Sequence, residues 1–264
     1  MFRAWLRLFL FGLLTVVLMP AQALSVYFKW SSRRWIPVMY HRMLCRLIGV
    51  RIKVIGECRK RRPLLIVANH SSWLDIVIIS AAAPVVFVAK REVASWPFFG
   101  LCAKLQRSIF VDRQRRQKTG EVNAEIAQRL IEGDPVVLFG EGTSSDGNRV
   151  LPFRTALIGA AHTALTSARL GHVSIQPLSV AYVGRHGMPL GRVERRSLAW
   201  YGGIELWPHL MNVLRHGAID VILTWGEPVA FDGGTDRKQI AGAIENTVRR
   251  STAAARRGQI AAYA

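Results

Sequence analysis

The fold of this chain turns on Asn69-His70-Ser71-Ser72-Trp73-Leu74-Asp75. An apolar, branched run, Leu64-Leu65-Ile66-Val67-Ala68, precedes it and has the length and composition of a buried strand. Ile76-Val77-Ile78-Ile79-Ser80-Ala81-Ala82 follows, and its pattern fits a buried helix or a second strand. A histidine therefore stands where a strand ends, with a carboxylate one helical turn further along. If Ser71 or Ser72 caps a helix, His70 lies in the loop outside it and Asp75 inside its first turn. On one continuous helix the two would point about 140° apart, so the loop is what lets the ring fold back. An aspartate accepting the Nδ1 proton fixes the tautomer and leaves Nε2 to take a proton from a hydroxyl, for about 10²–10⁴ in rate. The same residues also serve as a strand-end histidine and a first-turn aspartate, and the pair alone does not separate the two readings.

Working outward, strands and helices alternate. Val50 to Gly56 and Val85 to Ala89 read as strands, and so does Ile109 to Asp112, which ends at Arg113. A guanidinium at a strand's carboxyl end sits where α/β folds place ligands, and it suits bidentate contact with an oxyanion. Residues 115–132 form a charged amphipathic helix. Val136 to Phe139 is a buried strand running into Gly140-Glu141-Gly142-Thr143. The glycines there allow close backbone approach to a ligand and equally serve a tight turn with positive φ. Thr155 to Ala168 is helical, and Val173 to Val183 is a strand in which Pro177 suggests an edge, a bulge or a sharp aim. Residues 184–203 read as irregular; Leu206 to Leu214 is a helix, Ile219 to Trp225 a strand and Asp236 to Arg250 a terminal helix. The fold class is α/β, one domain with a mostly central mixed sheet flanked by helices.

The 264 residues carry 36 Lys and Arg against 17 Asp and Glu, which favours an anionic partner. No nucleic-acid module accompanies that charge. Nine basic residues precede the first acidic one, Glu57, and they flank an uncharged run from Leu8 to Phe28. As a helix that run is about 31 Å long, close to a bilayer core. Arg3 and Arg7 before Leu8 to Leu18, with Ala21-Gln22-Ala23 beyond, also fit a signal peptide. Residues 35–50 form an amphipathic helix, on a membrane or within the domain. Cys45, Cys58 and Cys102 are widely spaced, read as reduced thiols, and no metal-ligand spacing is present.

Four blocks in order resemble the glycerolipid acyltransferases, the 1-acylglycerol-3-phosphate acyltransferase family. His70 and Asp75 match the first motif, Ser108-Ile109-Phe110-Val111-Asp112-Arg113 the second, Phe139-Gly140-Glu141-Gly142-Thr143-Ser144-Ser145 the third, and Gln176-Pro177-Leu178-Ser179-Val180 the fourth. The resemblance covers roughly residues 50–230. It implies an acyltransferase domain over residues 49–264, behind a membrane anchor and interfacial helix over residues 1–48. His70 would be the base and Asp75 its orienting carboxylate; Arg113, Glu141, Gly142 and Thr143 would bind the acceptor. It implies no cofactor, an acyl carrier protein or coenzyme A thioester as co-substrate, and membrane lipid as partner. The site would be the cytoplasmic face of a bacterial inner membrane, and cytosolic donors favour an uncleaved anchor. Two positions depart from the family pattern: Arg107 stands where the second motif opens with glycine, and Ser144 where the third has arginine. One basic anchor is lost and another is expected nearby. The Glu141 to Gly147 stretch and Ala199-Trp200-Tyr201-Gly202 are similar to the bacterial branch that includes lyso-ornithine lipid acyltransferases. Lyso-ornithine lipid and 1-acylglycerol-3-phosphate both stand as acceptors; the rival is a non-catalytic lipid-binding protein of the same fold.

Overall fold

Every residue of β2 (Leu64–Ala68) is buried, because strands flank it on both sides and helices cover both faces. Leu64, Ile66 and Ala68 join one core with α3 (Leu74–Ala82), α2 (Ser32–Ile48) and α8 (Leu206–His216). Leu65 and Val67 join the other with α5 (Thr119–Ile131), α6 (Gly159–Ala168) and α9 (Arg237–Arg256). The computed structural model describes residues 2–61, 63–112, 119–154, 159–168, 172–232, 234 and 236–259. Arg113, expected to bind an oxyanion, lies outside the described residues.

The sheet order is β1 (Val50–Ile55), β8 (Ile219–Trp225), β6 (Val173–Arg185), β2, β5 (Val136–Phe139), β3 (Val86–Lys90), β4 (Ile109–Val111). Short β7 (Met188–Pro189) and β9 (Val229–Phe231) also pair with β6. β6 runs antiparallel to β7, β8 and β9, and the remaining described pairs are parallel. This is the mixed sheet expected. β2 and β5 are parallel neighbours, yet β2 leads to α3 on one face and β5 towards α6 on the other. Connections departing to opposite faces open a crevice at the strands' carboxyl ends.

Pro177 lies inside a central strand, not at an edge. It falls between Ile175, paired with Val229 of β9, and Leu178, paired with Trp225 of β8. That hand-over between two antiparallel neighbours is where a missing N–H costs no ladder bond. The ambiguous run after Asp75 is the helix α3. Residues 184–203 are more regular than the sequence suggests: β6 turns into β7 through His186 and Gly187, both at positive φ, the two-residue hairpin geometry. α7 (Arg192–Leu198) follows, its start held by the Gly191 N–H donating to the Glu194 carboxylate at 2.6 Å.

The N-terminal segment is built into the domain. Ala4 of α1 (Phe2–Tyr27) and Leu44, Cys45 and Ile48 of α2 belong to the core beneath β2. α1 is long and apolar enough to cross a membrane, but it buries Arg7, Thr15, Gln22 and Ser25 against the domain.

Candidate active site

At the end of β2 the ladder is continued by a side chain. Asn69 Nδ2 donates to the Val180 carbonyl at 2.9 Å and Oδ1 accepts the Val180 N–H at 2.8 Å, in place of a backbone pair. The chain then turns out over the crevice. The His70 N–H donates to Glu141 Oε1 at 2.8 Å. The His70 carbonyl accepts the Ser145 N–H at 2.9 Å and the Ser71 carbonyl the Trp200 N–H at 2.7 Å. Three separate segments therefore pin the loop that carries the histidine.

Asp75 reaches back from the first turn of α3. Its Oδ2 accepts His70 Nδ1–H at 2.9 Å, the Ser71 N–H at 2.8 Å and the Ser72 N–H at 3.0 Å. Its Oδ1 accepts the Tyr182 hydroxyl at 2.6 Å. Neither serine caps the helix: α3 starts after Trp73 without a side-chain cap, and the Asp75 carboxylate takes the buried Ser71 and Ser72 amides instead. A carboxylate only accepts, so Nδ1 carries the ring proton and Nε2 is the free base. The imidazole stacks on Phe139 with centroids 3.8 Å apart and planes 18° from parallel.

His70 stands in the wall of a cavity of about 500 Å³, the size of a small-molecule site. Trp73, Ile76 and Val77 of α3, Leu44 and Ile48 of α2, and Leu210 and Leu214 of α8 line it, with Phe11 of α1. Trp96 and Phe99 line it too. Thr143, Ser144, Tyr201 and the ion-paired Lys90 and Glu92 are among its polar lining. The Trp73 indole N–H donates to His209 Nδ1 at 2.9 Å, tying this wall to α8.

The third-motif residues divide. Glu141 is 2% exposed, and its oxygens take the His70 N–H at 2.8 Å and the Leu151 N–H at 3.0 Å. Burial pushes its carboxyl up to about 7, against the pull of those two amides. It sits beneath the histidine and holds its main chain. Gly142 has φ +67°, and a Cβ there would come within 2.8 Å of Arg154 Nε. Thr143 is exposed and lies with Ser144 in the cavity lining. Arg107, the candidate replacement anchor, faces elsewhere: its Nη2 pairs with Glu132 at 2.9 Å and with buried Asp134, which Arg34 Nε also contacts at 2.7 Å. Its φ of +63° explains why glycine suits that position.

Sequence reasoning missed Tyr182, Phe139 as the ring's support, and the bridging role of Asn69. Only Tyr182 had a local signal, since it alternates with Leu178 and Val180 on the face that meets α3.

A histidine base, oriented by a buried carboxylate and opening on an apolar cavity, is equipped to activate a hydroxyl beside a fatty chain. The chain belongs to the acyltransferase family, whose model matches residues 51–181. It is 47% identical over 259 residues to the lyso-ornithine lipid O-acyltransferase of Rhizobium meliloti (strain 1021), covering 97% of this chain and 89% of that one. It is 51% identical over 236 residues to the lyso-ornithine lipid O-acyltransferase of Brucella abortus (strain 2308), covering 89% and 88%. The crystal structure of the 1-acyl-sn-glycerophosphate acyltransferase of Thermotoga maritima superposes with a TM-score of 0.66 over 96% of this chain and 95% of that one, at 20% identity; that likeness speaks for the fold.

Proposed function

We propose that this protein acylates the free hydroxyl of lyso-ornithine lipid, taking the acyl group from an acyl carrier protein or coenzyme A thioester. The observation that carries the reading is the His70–Asp75 pair in the wall of the apolar cavity. Nε2 removes the hydroxyl proton as the oxygen attacks the thioester carbonyl. The carbon–sulfur bond then breaks, and the thiolate leaves with the proton held on the imidazolium. Asp75 stabilises that imidazolium, while Glu141 keeps the His70 main chain in place. Gly142 and Thr143 form the rim on the acceptor side, and Arg113 supplies the anion contact. The names of the two relatives support the headgroup, as do the two departures from the family motifs: Ser144 of the third carries no charge, and Arg107 at the opening of the second is paired with Glu132 and Asp134. The reaction takes place on the cytoplasmic face of a bacterial inner membrane, where thioester donors are made.

Washed membranes containing the protein would receive labelled acyl donor with lyso-ornithine lipid or 1-acylglycerol-3-phosphate, with His70→Ala as the blank. Label is expected in ornithine lipid, falling by at least about 10³-fold in the variant. Label only in phosphatidic acid would overturn the headgroup, and substantial turnover by His70→Ala would overturn the base.

A further inference from the structure

Asp75 has two oxygens, and His70 uses one. The other, Oδ1, receives the Tyr182 hydroxyl at 2.6 Å, within the span of about 2.5–2.7 Å typical of hydroxyl-to-carboxylate bonds. Both residues are buried, Asp75 at 0% and Tyr182 at 2% exposure. Burial, and then the neighbouring Asp75, push the phenol well above its ordinary range, so the oxygen keeps its proton and donates. The strand is shaped for this contact. Tyr182 pairs with Val221 and Gly184 with Asp220, leaving Val183 as an extra residue in β6; bulges of this kind re-aim side chains beside active sites. The bulge is clamped from outside, Arg195 Nε donating to the Tyr182 carbonyl at 3.3 Å and the Leu190 N–H to the Val183 carbonyl at 2.9 Å.

We propose that Tyr182 is a positioning residue for acyl transfer: its hydroxyl fixes the plane of the Asp75 carboxylate, and through it the proton on His70 Nδ1 and the aim of Nε2. The role rests on the function proposed above. Without the hydroxyl, a buried carboxylate oxygen is unpaired, which raises the proton affinity of Asp75 and concentrates its charge on Oδ2. Either effect raises the pH needed to obtain neutral His70 opposite ionised Asp75. Among the described residues the one other hydroxyl beside the pair is the buried Ser72, which meets Tyr182, and the charged groups nearby are committed elsewhere. Glu141 is committed to the His70 and Leu151 amides. Arg249 pairs with Glu245, and Arg256 with the carbonyls of Gly147 and Asn148. Arg195 holds main chain, and burial keeps the Cys45 thiol on α2 protonated.

The test is Tyr182→Phe in the full-length, membrane-bound protein, read as a pH–rate profile. We expect kcat/KM to fall about 10–100-fold and its acid limb to move up by about 0.5–1 pH unit. In an Asp75→Asn background the same change should cost less than about twofold, because the carboxylate it acts on is gone. An acid limb that stays in place, or an equal loss in both backgrounds, would reduce Tyr182 to packing. If Tyr182→Phe does not accumulate, 3-fluorotyrosine at position 182 keeps the shape with a stronger donor, and the limb should then move down; a fixed limb again overturns the role. Wild-type protein that acylates no lyso-lipid would refute the proposed function itself, whereas an active wild type with an unmoved variant limb refutes only Tyr182.

Discussion

Asp75→Asn tests the catalytic pair with the smallest change of shape. The amide oxygen keeps the place of Oδ2, where three N–H groups converge, and the amide nitrogen faces the Tyr182 hydroxyl, which can turn and accept. Each buried hydrogen bond has a replacement, so the variant folds. The charge is what disappears. A carboxylate and an imidazolium about 4 Å apart between charge centres attract by about 4 kcal/mol at an effective dielectric of about 20. Side-chain exposures of 0% for Asp75 and 17% for His70 leave little water to screen that attraction. The imidazolium is only partly formed at the transition state, so about 3 kcal/mol reaches the barrier, which is about 10²–10³-fold in kcat. Asp75 is absent from the cavity wall, so KM should hold within about twofold. Initial rates against both donor and acceptor concentration would measure the two constants separately. A kcat loss below tenfold, or a raised KM with kcat intact, would refute the reasoning.

Glu141→Gln offers one acceptor to two N–H donors, so it should lower kcat about 10-fold while leaving acceptor KM alone; a raised KM would make Glu141 a substrate ligand instead. The same variant reports on pH. The folded Glu141 holds its proton up to about 7 against 4.5 ordinarily, so over that window the unfolded chain releases a proton that the folded one keeps. The group costs nothing below about pH 4.5 and destabilises by up to about 3 kcal/mol as pH rises past about 7. The melting-temperature advantage of wild type over Glu141→Gln should therefore shrink from about pH 5 to about pH 8, and a constant gap would contradict it. Arg107→Ala leaves Asp134 with the Arg34 contact and should destabilise by about 2–4 kcal/mol, with an unchanged ratio of activities on the two acceptors. An altered ratio would return Arg107 to the headgroup.

What could be read from the sequence was what lies close along it. β2, β5 and β6 are apolar runs whose type needs no partner to recognise, and His70 and Asp75 fall within one loop and one helical turn. The hydroxyl on the far oxygen of Asp75 comes from a residue 107 positions away, brought there by the pairing of β6 with β2. Nothing in residues 64–75 announces that pairing. Glu141 shows a related limit: a carboxylate between glycines suggests ligand contact, and nothing near it in sequence announces the bond that runs 71 positions back to the His70 amide. The hairpin and α7 were hidden in a stretch rich in arginine, whose turn signal was only His186-Gly187 with Glu194 placed to cap.

The same limit explains α1. Along the sequence it is one uncharged run from Leu8 onward, and a window average describes a span without sides. In space it has two. Phe2, Trp5, Phe9, Val16 and Tyr27 are exposed, an apolar face in keeping with membrane association. The opposite face packs Ala4, Leu8, Phe11 and Leu14 on the core and carries polar groups bonded to the domain: Arg7 Nη1 donates to the Leu214 carbonyl at 2.7 Å, Thr15 meets the Tyr40 hydroxyl at 2.8 Å, and Gln22 Nε2 donates to the Leu105 carbonyl at 2.8 Å. A helix crossing lipid on its own would strand these groups without partners. Here they dock α1 onto α2, α4 (Phe99–Leu105) and α8, the helices that wall the cavity, and Phe11 between them reaches the cavity itself. α1 is thus one wall of the chamber that opens at His70.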